Sequence, residues 1–332
     1  MSADAITRGV AFLGGAQLAS GEIPVETSTD PQMRCGGALD PSIFPTALAI
    51  SCLTSIPAAD QIVTKARRFL LAESSGHGLW RHWPRAHPHH RQLPPDVDDS
   101  ACAAAALGPA APDTRALLLA NRRSDGLFLT WFIPRPRWTS LEHLRATLPQ
   151  LRHLPTLAMF FRHTSAHPGD VDAVVNANAL HFMGAFPGRE RIVAHLKAVL
   201  RDGAEAHCDK WYEDPFVVWY FFARALNDEP DARTLIAERI SEAPRMHALH
   251  AALAITTYRL CRLSPDPRDI AHVLNAQLPS GGWPRAAMYH GGRRRLRSGR
   301  FAPPHPHTPY WGSQPLTTAF ALQALSPSRP EP

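Results

Sequence analysis

Arg268-Asp269-Ile270-Ala271-His272-Val273-Leu274-Asn275-Ala276-Gln277-Leu278-Pro279-Ser280-Gly281-Gly282-Trp283 follows a template that recurs along the chain: a basic residue, an apolar position, a glutamine, then a glycine two residues before an aromatic. The same spacing holds for Arg8, Phe12, Leu13, Gln17, Gly21 and Ile23, with isoleucine at the aromatic position. It holds again for Lys65, Phe69, Leu70, Ser74, Gly78 and Trp80, with serine at the glutamine position, and a weaker copy ends at Gly126 and Phe128. Recurrence with a period of several tens of residues is the mark of a repeat architecture. Each copy supplies a surface helix, a turn that glycine permits, and a large side chain that packs on the turn.

After the turns come segments that read as more apolar helices: Phe44 to Ala49, Asp99 to Leu107, Ala173 to Met183, Pro215 to Leu226, Met246 to Tyr258 and Pro315 to Leu325. Proline near several of these starts suits the first helical turn, where no amide donor is needed. Small or apolar residues on every side point to burial all round. Six outer and six inner helices closing on themselves make an all-α (α/α)6 barrel, a toroid of six helix pairs. The copies resemble the QW repeat of squalene-hopene cyclases. From about residue 6 to about residue 326 the chain resembles the superfamily of terpene cyclases and protein prenyltransferases, which uses this toroid. No Gly/Ser linker or charge block divides the 332 residues, so one domain spanning 1–332 is expected.

Leu93-Pro94-Pro95-Asp96-Val97-Asp98-Asp99-Ser100-Ala101, running into Cys102 and four alanines, gathers three carboxylates where a helix begins. It resembles the Asp-x-Asp-Asp motif of class II terpene cyclases. The resemblance implies a cyclase that protonates a prenyl double bond, with Asp98 as the acid and Asp96 and Asp99 in support. Protonating an isolated alkene requires an acid that keeps its proton near neutral pH in a water-poor pocket. Crowding carboxylates in an apolar site opposes ionising all of them. The positive end of a helix favours the ionised form, so burial has to prevail. The same acids also suit a simple helix start, with Asp at the N-cap.

Other candidates follow from the cation that such a reaction creates. Ring faces stabilise a cation without reacting with it, which singles out Trp219, Tyr310 and Trp311 from the aromatic runs Trp211, Tyr212, Trp219 to Phe222 and Tyr310-Trp311. Asn176, Asn178 and His181 are polar residues in an otherwise apolar helix, and Asn178 and His181 share a face. They are placed to bond the acid, hold a water or accept the final proton; a self-satisfied core network is the other reading. Arg293 and Arg294, in a block with Arg295, Arg297 and Arg300, have the geometry to hold a prenyl diphosphate head group.

The 18 histidines, clustered at His77 to His90 and at His305 and His307, support a second class of function, a zinc or iron enzyme on the same barrel. Cys208-Asp209 with His305 or His307 is its closest ligand set, and it matches the prenyltransferase zinc pattern poorly. A third class is a non-catalytic isoprenoid-binding partner. The cyclase reading requires no cofactor, with magnesium assisting if the substrate carries a diphosphate.

The net charge of +6 comes largely from one short arginine block without interleaved stacking aromatics, which argues against nucleic-acid binding. No apolar run spans a bilayer and no basic-then-apolar leader is seen, so a cytoplasmic protein without a transmembrane segment is expected. Five scattered cysteines without a CxxC pair are expected to be reduced thiols. Well-known members of the resembled family hold their site between two barrels, and this chain has residues for one. The missing wall is expected from a homodimer partner, another protein, or the loops His82 to Pro95 and Gly291 to Pro309.

Overall fold

The outer helices carry one-sided apolar stripes. Ile62, Val63, Ala66, Phe69 and Leu70 are the buried face of one, and Ile192, Val193, Leu196, Val199 and Leu200 repeat the pattern in another. The inner helices are buried almost all round, as in Ile43–Leu53, where only Ser51 is not fully buried. The computed structural model describes residues 2–135 and 140–327. In chain order its helices are α1 (Ser2–Ala16), α2 (Ile43–Leu53), α3 (Asp60–Glu73), α4 (Val97–Leu107), α5 (Arg115–Ala120), α6 (Leu141–Thr147), α7 (Leu154–His163), α8 (Ala173–Met183), α9 (Arg189–Arg201), α10 (Pro215–Ala225), α11 (Pro230–Glu242), α12 (Ala248–Leu260), α13 (Pro267–Asn275) and α14 (Gln314–Leu325).

Helices α2, α4, α8, α10, α12 and α14 form a closed inner ring, each packed on the next and α14 returning to α2. Helices α1, α3, α5, α9, α11 and α13 are the outer members of the six pairs. The architecture is therefore the all-α toroid that the repeats imply.

The recurring residues are latches. Gln17 Nε2 donates to Gly21 O of its own turn at 2.9 Å and to Ile62 O of α3 at 3.0 Å. Gln277 does the same to Gly281 O at 2.8 Å and to Ala5 O of α1 at 2.9 Å, so the last latch fastens the end of the chain to its beginning. The indoles of Trp80 and Trp283 donate back to Leu70 O and Val273 O, carbonyls near the ends of the helices they follow. Each turn also hands one amide to the next inner helix: Ile23 N to Thr46, Trp80 N to Ser100, Phe128 N to Asn176 and Trp283 N to Thr318, at 2.8 to 3.0 Å. Asn176 is thus a structural member of the repeat.

Two features have no counterpart in the sequence reading. A small antiparallel sheet joins strands β1 (Glu26–Ser28), β2 (Ala38–Leu39), β3 (Ala287–His290) and β4 (Tyr310–Gly312) in the order β2-β1-β4-β3. Its register pairs Thr27 with Trp311 and Trp311 with Tyr289, which fixes a wall of the central cavity. Helices α6 and α7, joined by a 3-10 turn (Leu148–His153), form an insertion between α5 and α8.

Gly281 has φ +92°, and a Cβ there would lie 2.6 Å from Arg8 O. Gly281→Ala is expected to destabilise the fold by on the order of 3 kcal/mol, combining left-handed strain with a backbone clash. Denaturant unfolding of variant and parent checks this; a shift below about 0.5 kcal/mol, the range of ordinary surface changes, would contradict it.

Candidate active site

The cavity lies at the N-terminal ends of the inner helices: Phe44, Asp96, Asp98, Asp99, Val175 and Tyr212 line it from the first turns of α2, α4 and α8 or from just before α4 and α10. Its volume is about 910 Å³. The walls are mainly aromatic. Tyr289 and Trp311 stack with centroids 5.3 Å apart, Phe44 meets Tyr289 edge-on at 5.5 Å, and Trp131 meets Trp211 edge-on at 5.7 Å.

The three aspartates have different environments. Asp96 is the N-cap of α4, accepting from Asp99 N at 2.8 Å. Asp99 is buried beside it. Burial is the main cause pushing Asp96 up to about 6, and burial followed by the charge of Asp96 raises Asp99 well above the ordinary carboxylate range. Asp98 turns its half-buried carboxyl to the cavity. Tyr212 OH donates to Asp98 Oδ2 at 2.5 Å and Asn178 Nδ2 donates to Asp98 Oδ1 at 2.7 Å. Burial raises Asp98 to about 7 against the lowering effect of those two donors. Burial therefore outweighs both the donors and the helix end.

Tyr212 emerges as a partner of the acid, a role the sequence reading did not single out, because the pairing spans α4 and the segment before α10 and leaves no local signal. Arg293 holds that segment. It is buried and donates to the carbonyls of Ala206, Asp209 and Tyr212, with Glu213 at 3.6 Å. The guanidinium is committed to backbone, which corrects the expected diphosphate role; Arg294 is exposed and does not line the cavity.

Several other expectations are corrected by the geometry. Trp219 is turned away from the cavity, donating to Glu205 Oε1 at 3.1 Å and packing on Phe216. Tyr310 lies on the far side of its strand from Trp311 and bonds Glu213 at 3.2 Å. Asn176 serves the Phe128 turn with both ends of its amide. His181 faces Arg224 O at 3.2 Å, and burial lowers it to about 3, so it is neutral, and it does not line the cavity. Trp311 and Asn178 remain at the site: Trp311 lines the cavity and Asn178 bonds Asp98.

Of the walls expected, the loops His82 to Pro95 and Gly291 to Pro309 do line the cavity, and α7 adds a further side. Pro155, Thr156, Met159, Phe160, His163 and Thr164, on α7 or just after it, cover one side, and Phe160 packs edge-on against Trp131 at 5.1 Å. The loop before α4 adds His82, Trp83, His89, Gln92 and Leu93. Burial lowers His82 to about 4, so it is uncharged at neutral pH.

Among the described residues, the grouping with three His or carboxylate donor atoms within 4.8 Å of one another is Asp214, His247 and His250, outside the cavity lining. Its members already serve as caps: Asp214 accepts from Phe216 N, His247 from His250 N, and His250 Nε2 meets Asp214 at 2.7 Å. Cys208-Asp209 does not join His305 or His307 in such a grouping.

Comparison of structures shows that this closed all-α toroid is a fold shared with type II terpene cyclases. The type II terpene cyclase MstE from Scytonema, in complex with geranylgeranyl dihydroxybenzoate as substrate, superposes with a TM-score of 0.63 at 16% identity, over 98% of this chain and 96% of that one. That structure is of an arginine-to-alanine variant; an aspartate-to-alanine variant of MstE with its product merosterolic acid A gives the same TM-score and identity. A protein from Actinoplanes superposes with a TM-score of 0.60 at 18% identity, over 98% of both chains. No protein-family model matches the chain, and no curated protein matches it.

Asp98 links stability to pH. Its folded value of about 7 exceeds its ordinary 3.8, so the folded state holds the extra proton between those limits. Its contribution to stability therefore falls as pH rises through that window and is lowest above it. Asp98→Asn is expected to gain stability relative to the parent on going from pH 5 to pH 8, read from paired denaturant midpoints. An unchanged gap would contradict the raised value.

Proposed function

We propose that this protein is a class II-like terpene cyclase in which Asp98 protonates a terminal double bond of a polyprenyl chain. The observation that carries the reading is a carboxyl raised to about 7, held at both oxygens, and facing an aromatic cavity. Each carboxyl oxygen has two lone-pair sites, so the two donors leave a site for the acidic proton on the cavity side. The proton leaves Asp98 for an alkene carbon, and a tertiary cation forms on its neighbour. Tyr212 and Asn178 stabilise the carboxylate left behind, which makes Asp98 a stronger acid than burial alone would allow. Asp96 and Asp99 keep the neighbourhood short of charge by sharing a proton. Successive double bonds attack the cation while Phe44, Trp131, Trp211, Tyr289 and Trp311 offer ring faces. Loss of a proton to a base, or capture by water, ends the cascade, and solvent returns a proton to Asp98.

The substrate we favour is a prenylated compound without a diphosphate. The described residues that line the cavity include no Lys or Arg, and His82 and His290 are lowered to about 4 and about 3 by burial and so are uncharged. A diphosphate would find no guanidinium or ammonium group among them, only the imidazoles of His89 and His163 besides these two. The aromatic acid head of the MstE substrate supports the same choice. On this reading neither a redox cofactor nor magnesium has a role. The five cysteines stand unpaired, which fits a cytoplasmic setting.

Product analysis with farnesyl and geranylgeranyl diphosphates and prenylated aromatics tests the proposal. Cyclic product with the head group intact, lost by at least about a thousandfold in Asp98→Asn, is expected; unchanged turnover in that variant would end the reading. The rate is expected to fall as pH rises through about 7, because the acid must be protonated. Tyr212→Phe is expected to slow the reaction by about 10- to 100-fold, the worth of one charge-assisted hydrogen bond. It should also move the alkaline limb upward, since donation by Tyr212 lowers Asp98.

A further inference from the structure

The turn at Gly126 departs from the others at its latch. Counting four residues back from the turn glycine gives Gln17 for Gly21 and Gln277 for Gly281, but Arg122 for Gly126. In the last copy, Gln277 accepts a hydrogen bond from Arg8 of the next outer helix. A basic residue also stands across the Gly126 turn: a Cβ on Gly126 would lie 2.7 Å from Cδ of Arg191, in the first turn of α9. Here the amide that would accept from it is replaced by a second guanidinium. Arg122 and Arg191 line one groove with Arg123 and Arg135; its volume is about 1100 Å³, and it shares no lining residue with the central cavity. The charges are not balanced in place. Arg122 donates to the carbonyls of Leu119 and Pro187, Arg191 to that of Ser124, and Arg135 to those of Trp131 and Pro168 and to Asn121 Oδ1, all neutral acceptors. None of these three has a carboxylate partner among the described residues, whereas Arg123 pairs with Asp125. Glu190 is the one acid in the groove lining. Burial lowers Arg135 to about 10, which leaves it charged at neutral pH.

We infer that this groove binds a phosphate-bearing small molecule whose phosphoryl oxygens are held by Arg122, Arg135 and Arg191. Guanidiniums gathered without carboxylates favour a bound anion, since each fork offers N–H donors to oxygen in a fixed geometry. Donors remain for it: Arg122 Nη2 and Arg191 Nε and Nη2 make no hydrogen bond among the described residues. Glu190 offsets one of the three unpaired arginines, so a dianion such as a phosphate ester balances the other two, which a single carboxylate does not. Leu119, Pro168 and Pro187 give the groove apolar walls against which an organic part rests. Arg135 also holds Trp131 O, and the Trp131 ring lines the cavity, so groove and cavity share a segment of backbone. The inference concerns a site outside the cavity and stands apart from the cyclase reading, because anion binding can be measured without turnover.

The test is titration calorimetry of the purified full chain with inorganic phosphate, inorganic diphosphate, ATP and, as a polycarboxylate, citrate. At least one of the phosphate compounds is expected to bind with a dissociation constant below about 1 mM and more tightly than citrate. Diphosphate binding as tightly as ATP would place recognition on the phosphoryl groups alone; tighter binding of ATP would add the organic part, and either supports the site. Arg122→Gln, which restores the residue found at two other latches, is expected to weaken binding about tenfold, and Arg122→Gln with Arg191→Gln on the order of 100-fold, at about tenfold per charge-assisted bond. Both variants should keep the parental melting midpoint in the absence of ligand, which separates a lost site from lost folding. Arg294→Gln with Arg297→Gln, exposed and outside the groove lining, is expected to leave binding unchanged. No binding of any phosphate compound, equal binding of citrate, or unweakened binding by the groove variants would overturn the inference. So would a loss of binding in the Arg294 and Arg297 variant, because the anion would then sit on the other arginine block.

Discussion

Every outer helix of this toroid ends by exposing backbone groups that must find partners, and the way they find them holds the ring together. The Gln and Trp side chains of a turn bond carbonyls of their own helix, of the turn and of the next outer helix, while the next inner helix receives a turn amide. Satisfying one repeat therefore fixes the position of its neighbour. The step from Gln277 to Ala5 closes the circle, and α14 then meets α2. That closure brings β1, near the start of the chain, beside β4, near its end, and so sets Trp311 and Tyr289 in the cavity wall.

The acid is a balance of opposing effects. Burial disfavours the charged form, while two donors and a helix N-terminus favour it. Burial alone would raise the carboxyl further, and the donors alone would leave it ionised at neutral pH. The value of about 7 lies between these outcomes. In the role proposed above, Asp98 would hold its proton for a useful fraction of the time and leave a well-stabilised anion on giving it up. Asp96 and Asp99 are more enclosed than Asp98 and are bonded to each other, Asp99 N donating to Asp96 Oδ1.

One side of the cavity is walled by α7, from the insertion between α5 and α8, and another by the loop before α4. The same short helices present apolar residues inward to the cavity and outward to the surroundings, which is why so little of α7 is buried.

The repeats were legible in the sequence because latching requires particular residue types at fixed spacing, and glycine is needed where the backbone turns left-handed at Gly21, Gly78, Gly126 and Gly281. The inner helices were legible because burial on all sides leaves an unbroken apolar composition. The aspartate cluster was legible as a helix start rich in carboxylates. What stayed hidden depended on distant pairings. Asn176 and Asn178 look alike two residues apart in one helix, yet one holds a turn and the other holds Asp98. Trp219 and Trp311 carry the same side chain, but only Trp311 faces the cavity, since strand register and helix rotation decide where a ring points. The sequence alone determined the ring and the chemistry available at the start of α4; only the tertiary structure decided which side chains meet Asp98, because those contacts join segments about 80 and 114 residues away in the chain.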